Sequence, residues 1–161
     1  MKAAISFAEE LSGSPLSLEQ LCARAAGYEV ERLESRLVFD EQHYVRRILH
    51  WEADLEVVLL CWSPGQSSGI HDHRGSNCVT RVLSGRFRES FFRADSGTGL
   101  YLDAGGRILS AGDISGLQGD VIHQVTNAQV SGRGALLNFY SPAFSPAPRT
   151  GTGRYLTLSA I

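Results

Sequence analysis

The sequence predicts a mainly β fold: a jelly-roll-like antiparallel β-barrel with a short helical cap at its N-terminal end. Three observations carry this reading. From Tyr44 onward the apolar residues fall in short runs divided by Gly, Ser and Pro, as in sandwiches and barrels. The one clear helical spacing precedes them, and no internal repeat of solenoid or propeller length is present.

The helix is predicted over about 17–26. Ser17 and Gln20 have capping-box spacing, Leu18, Leu21, Cys22 and Ala25 recur on one face, and Gly27 offers a stop. Val30, Leu33 and Leu37 also share a helical face, so a second short helix is expected there. YVRRILHW and LEVVLLCW, joined through Glu52-Ala53-Asp54, then read as a hairpin. CVTRVLSG, RFRESFF, GLYLDAG, an Ile-Ser segment, VIHQV, GALLNFY and finally RYLTLSAI continue as strands, the last after a proline-containing loop from Ser141 to Gly153. A chain of 161 residues, 43% of them hydrophobic, suits one domain, with residues 1–40 as the cap and 41–161 as the barrel.

Composition excludes several functions. With 15 Lys+Arg against 17 Asp+Glu there is no field to draw the chain onto nucleic acid or an anionic membrane, which leaves a small molecule as the expected partner. The first residues lack the apolar core of a signal peptide, and no long apolar run follows, so a soluble cytoplasmic protein is expected, monomeric or a small homo-oligomer. Cys22, Cys61 and Cys78 are odd in number and widely spaced, which reads as reduced thiols.

The chemistry concentrates in GQSSGIHDHRGSNCVTRVLSG, residues 65–85. On a strand, His71 and His73 would point to one face and hold one metal ion. Gly65, His71, His73, position 78 and Gly85 match the spacing of the first cupin motif, with Cys78 where cupins usually carry glutamate. The stretch from Gly112 to Asn127 resembles the second motif, keeping Gly112, His123 and Asn127 but carrying Gln118 and Asp120 where Pro and Gly are usual. Three neutral imidazoles would leave a divalent ion its full charge, favouring an anionic substrate.

A more specific resemblance is to the cysteine dioxygenase family of thiol dioxygenases. It rests on Ile70-His71-Asp72-His73 followed by Cys78, on Cys61-Trp62 and Tyr44-Val45-Arg46 upstream, and on His123-Gln-Val-Thr-Asn127, Tyr140-Ser-Pro-Ala-Phe144 and Arg149-Thr-Gly151 downstream. These motifs are colinear from Tyr44 onward.

The resemblance implies an Fe(II) enzyme that adds both atoms of O2 to the sulfur of L-cysteine, with His71, His73 and His123 as metal ligands. It implies Arg46 as the partner of the substrate carboxylate, Tyr44 beside it, and Tyr140 and Cys78 as catalytic residues joined by a thioether in some members. Alternation along the strand turns Arg47 to the opposite face from Arg46. One position departs from the family: where it has Ser-x-His before the tyrosine, this chain has Leu136-Leu-Asn138, and Asn138 can hydrogen-bond but cannot shuttle a proton. Two alternatives are a dioxygenase of 3-mercaptopropionate or another small thiol, where the family typically has Gln in place of Arg46, and a cupin that binds metal and ligand without turnover. A zinc hydrolase fits less well, because no carboxylate is placed as a general base.

Overall fold

The computed structural model describes residues 14–146. One helix, α1 (Leu18–Gly27), is followed by eight strands: β1 (Val45–Glu52), β2 (Leu55–Trp62), β3 (Asn77–Ser84), β4 (Arg86–Ala94), β5 (Tyr101–Ser110), β6 (Ile114–Leu117), β7 (Ile122–Asn127) and β8 (Gly134–Ser141). They form two antiparallel sheets, one of five strands in the order β1-β2-β8-β3-β6 and one of three in the order β5-β4-β7. The expected final strand, RYLTLSAI, and the Arg149-Thr-Gly151 motif lie outside the described residues.

Helix α1 begins where the capping residues require. The Ser17 hydroxyl accepts from the Gln20 N–H, and the Gln20 side chain accepts from the Ser17 N–H, so two orphan donors of the first turn are satisfied. At its other end Arg81 of β3 donates to the carbonyls of Ala25, Ala26 and Tyr28, placing a cation at the negative end of the helix and tying it to the sheet. The second predicted helix is reduced to a single 3-10 turn at Glu34–Arg36. Leu33, Arg36 and Leu37 donate to residues three positions back, so Val30, Leu33 and Leu37 reach the core through tight turns.

The period-two pattern sorts the larger sheet into two cores. Val58, Leu60, Trp62, Leu136 and Tyr140 face the barrel interior and meet Phe87, Leu109 and Val125 of the smaller sheet. Val57, Leu59, Cys61, Leu137 and Phe139 face outward and are covered by Leu21 and Ala25 of the helix and by Leu33. Every residue of β8 is therefore buried. Burying a side chain of this size contributes roughly 1.5–3 kcal/mol, so the doubly covered sheet is the rigid base of the molecule. Gly85 makes the β3–β4 turn at φ +88°, and a Cβ there would meet the Gly134 Cα at 2.9 Å, which explains glycine at the end of the first motif.

Candidate metal centre

The histidines converge, though not by strand alternation. His71 is held in an isolated antiparallel bridge to His123, each N–H donating to the other's carbonyl at 2.9 and 2.8 Å, and His73 lies beyond it in a turn. That turn has Arg74 at φ 51° and Gly75 at φ 89°, and the His73 N–H donates to the Gly119 carbonyl at 3.0 Å. Gly119 packs so closely on Gly75 that a Cβ would sit 2.2 Å from the Gly75 carbonyl carbon. Backbone contact between two loops thus replaces the expected strand in aiming His73.

The ligand atoms of His71, His73 and His123 all lie within 4.8 Å of one another, and the Nε2 atoms of His73 and His123 are 3.2 Å apart. Nitrogens about 2.1 Å from one ion and at right angles to each other are spaced about 3.0 Å, so the cluster fits a single metal. Nδ1 of His71 faces the Gly69 carbonyl at 2.9 Å and Nδ1 of His123 faces Glu89 Oε1 at 3.0 Å. Both partners are acceptors, which puts the proton on Nδ1 and leaves Nε2 free to bind an ion. Nδ1 of His73 is buried with no partner. Burial, together with the positive charge His123 and His71 would carry, pushes His73 down to about 3, so its imidazole is neutral at ordinary pH. Burial likewise lowers His71.

Behind His123 stands a pair of charges absent from the sequence reading. Glu89 of β4 and Arg107 of β5 are register partners, and Arg107 Nε donates to Glu89 Oε2 at 2.7 Å, with Ser115 joining the group. Burial alone would raise the Glu89 carboxyl, but hydrogen bonds from His123 and Arg107 outweigh it and hold it below its usual value. The carboxylate fixes the tautomer and the orientation of the His123 ring.

On the larger sheet Glu56, Tyr140 and Cys78 are neighbours across β2, β8 and β3 in one register row. Directly opposed residues bring their Cβ atoms to about 4.5–5.5 Å, so Cys78 lies beside Tyr140 as a crosslink would require. Burial pushes the Cys78 thiol up to about 12 and also raises the Tyr140 phenol, so both are protonated at neutral pH. Thr80 donates to Asn138 Oδ1 at 2.9 Å, and Asn138 Nδ2 donates to the Tyr140 hydroxyl oxygen at 2.8 Å. The departure at Asn138 is thus a rebuilt contact: an amide fixed by Thr80 orients the phenol. Tyr140 also stacks on Phe144 with centroids 5.3 Å apart and meets the edge of His73 at 5.3 Å.

Arg46 pairs with Leu60 and shares its inward face, where it is buried, while Arg47 turns outward toward the Arg36 carbonyl. Both terminal nitrogens of Arg46 reach the Ser145 hydroxyl at 3.2 Å, and Nη2 is 3.6 Å from Glu56 Oε1. Tyr44, just before β1, stacks on Trp62 with centroids 4.0 Å apart, and burial raises its phenol. Sequence reasoning missed Glu56, Glu89, Thr80 and Ser145. The available signal was an acidic residue at an inward position of an otherwise apolar strand, as in LEVVLLCW.

A sequence profile of the family described as Cysteine dioxygenase type I matches residues 12–150. The chain belongs to this family. It is 26% identical over 157 residues to human Cysteine dioxygenase type 1, covering 92% of this chain and 78% of the human protein. Among solved structures, BH2720 from Bacillus halodurans superposes with a TM-score of 0.57 at 17% identity, over 81% of this chain and 89% of that one. A cupin superfamily protein from Desulfitobacterium hafniense gives 0.53 at 17% identity, over 69% and 88%. At these identities the two structures speak for the fold alone, a cupin barrel, and the family profile speaks for dioxygenase chemistry. No helix among the described residues is long and apolar enough to cross a membrane.

Proposed function

We propose that this protein is a thiol dioxygenase that oxidises L-cysteine with O2 to cysteine sulfinic acid, with His71, His73 and His123 holding one Fe(II). The observation that carries the reading is the convergence of three imidazoles, two of them with Nε2 left free by their partners, in a barrel that also buries Arg46 and Tyr140. A bound ion would supply charge that keeps the substrate thiol ionised and a common centre for thiol and O2, which would turn a three-body encounter into an intramolecular one.

The remaining work belongs to the side chains. Arg46 receives the substrate carboxylate, with Tyr44 beside it. Tyr140 acts as a hydrogen-bond donor to the reacting atoms: its oxygen already accepts from Asn138, and its raised pKa keeps the proton in place. Cys78 opposite Tyr140 in the sheet register supports a thioether between them, with O2 as the two-electron oxidant that takes the two hydrogens, read by intact mass as their loss. Both atoms of O2 end on sulfur, so no external reductant is required. Three cysteines without disulfide partners favour a reducing compartment, and we assign the protein to the cytoplasm.

Oxygen uptake by Fe(II)-loaded protein with L-cysteine, cysteamine and 3-mercaptopropionate tests the reading. Fastest uptake with L-cysteine is expected, and Arg46→Gln should raise KM for cysteine far more than for cysteamine, which has no carboxylate. Preference for 3-mercaptopropionate would reassign the substrate. Silence with every thiol would leave a metal- and ligand-binding cupin.

A further inference from the structure

Glu56 is fully buried on the inward face of β2, in the row that carries Tyr140 and Cys78. Its two oxygens are used differently. Oε2 accepts the backbone N–H groups of Phe144 and Ser145 at 2.9 and 2.7 Å, which fixes the segment after β8. Trp51 helps by donating to the Ser145 carbonyl at 3.1 Å. Oε1 has no hydrogen-bond partner, and it lies 3.6 Å from Arg46 Nη2, beyond hydrogen-bond reach.

Accepting two backbone N–H groups needs only a neutral carbonyl, so the Glu56 charge is not explained by the loop. A buried carboxylate is costly unless a cation answers it, and the cation here is Arg46. The Ser145 hydroxyl stands 3.2 Å from both terminal nitrogens of Arg46 and takes part of the guanidinium that a direct pair would have used. The pair is thus close enough to cancel charge and too far apart to consume the remaining donors of Arg46.

We infer that Glu56 is a specificity-determining residue, cancelling the charge of Arg46 and so setting how strongly the pocket prefers thiols with a carboxylate over thiols without one. This inference rests on the pocket proposed above. A carboxylate docked on Arg46 comes within several ångströms of Glu56 Oε1, and the repulsion between two such charges weakens its binding on the order of ten- to a hundred-fold. Glu56 therefore moderates the grip of Arg46, while Arg46 still supplies orientation through its free N–H groups.

The test compares metal-loaded, full-length wild type with Glu56→Gln. Each is titrated by calorimetry under argon with 3-mercaptopropionate, which bears a carboxylate, and with 2-mercaptoethanol, which has none. Glutamine keeps an acceptor for Phe144 and Ser145. The variant should bind 3-mercaptopropionate at least about ten-fold more tightly and leave 2-mercaptoethanol within about two-fold. Equal effects on both thiols, no effect, or no binding of either would overturn the inference. Should Glu56→Gln leave Arg46 unpaired and the chain unfolded, the comparison is repeated with Ser145→Ala, which removes the hydroxyl held by both terminal nitrogens of Arg46 and lets them close on Glu56 Oε1. That variant should weaken 3-mercaptopropionate and leave 2-mercaptoethanol within about two-fold, and an unchanged ratio overturns the inference. Since binding is read without oxygen, a protein that oxidises no thiol would sink the dioxygenase proposal and leave this ratio to be decided by itself.

Discussion

The two sheets of this barrel divide the site between them, and they are built differently. The five-stranded sheet is packed on both faces, and it carries Arg46, Glu56, Cys78, Thr80, Asn138 and Tyr140 on the inner one. The three-stranded sheet has a wet outer face, with Tyr101 52% and Ile108 43% exposed, and it carries His123 with Glu89 and Arg107 behind it. Groups that would meet substrate thus stand on the stiff wall, while the support of one metal ligand stands on the thin one. Changes on the first should cost stability and chemistry together. On the second the two should separate.

The largest expected effect is on the stiff wall. Phe139, fully buried under Tyr28 and the helix, faces away from the site; Phe139→Ala should cost about 3–5 kcal/mol in urea unfolding, and a cost below about 1 kcal/mol would deny that wall its role. Next comes Glu89→Gln, which keeps an acceptor for His123 and removes the charge. Metal affinity, read by competition with a chromophoric chelator, should fall about 10–100-fold, and no change would make the thin wall a passive support.

Acid distinguishes the turn that carries His73 from the thin wall by onset. His73 is depressed to about 3, so between its unfolded value and that point the unfolded chain binds the extra proton and stability falls as pH falls. In metal-free protein the loss begins near pH ~6.5 and amounts to about 1.4 kcal/mol per pH unit from this one group. Glu89 is also depressed, so its contribution is present above its unfolded value and is lost only below about pH 4.3. Below about pH 4.3 the fall should be steeper in wild type than in Glu89→Gln, where only His73, Asp40 and Asp95 still contribute, and equal slopes would deny Glu89 its role. The smallest effect belongs to the outer face of β5: Ile108→Ser should change stability by no more than about 0.5 kcal/mol, and a larger loss would reveal packing on that face.

What could be read from sequence follows the range of the interactions concerned. The capping box, the hairpin from Val45 to Trp62 and the opposite facing of Arg46 and Arg47 depend on neighbours a few residues apart, and all stand as read. The three histidines were legible because their motif spacings are fixed. Val30, Leu33 and Leu37 misled because a hydrogen-bonded turn at Val30–Leu33 followed by one 3-10 turn places residues at nearly the same spacing as a helix. Glu56, Glu89 and Thr80 stayed silent for another reason. Their partners lie 89, 34 and 58 residues away, and only the strand order brings them together. The same holds for Asn138, which stands where the family has a histidine and is fixed by Thr80 directly opposite it.

Strand β8 is the last described strand in the chain, yet it occupies the middle of the larger sheet, between β2 and β3. During synthesis the hairpin of β1 and β2 emerges early and must wait, with the edge of LEVVLLCW unpaired, until residues 134–141 leave the ribosome. Glu56 and Cys78 acquire their common neighbour Tyr140 in that same event. Completion of the barrel and assembly of the proposed site are therefore one late, non-local step. A nascent chain stalled before residue 134 would present an aggregation-prone edge and no pocket, so the site cannot act before the fold is closed.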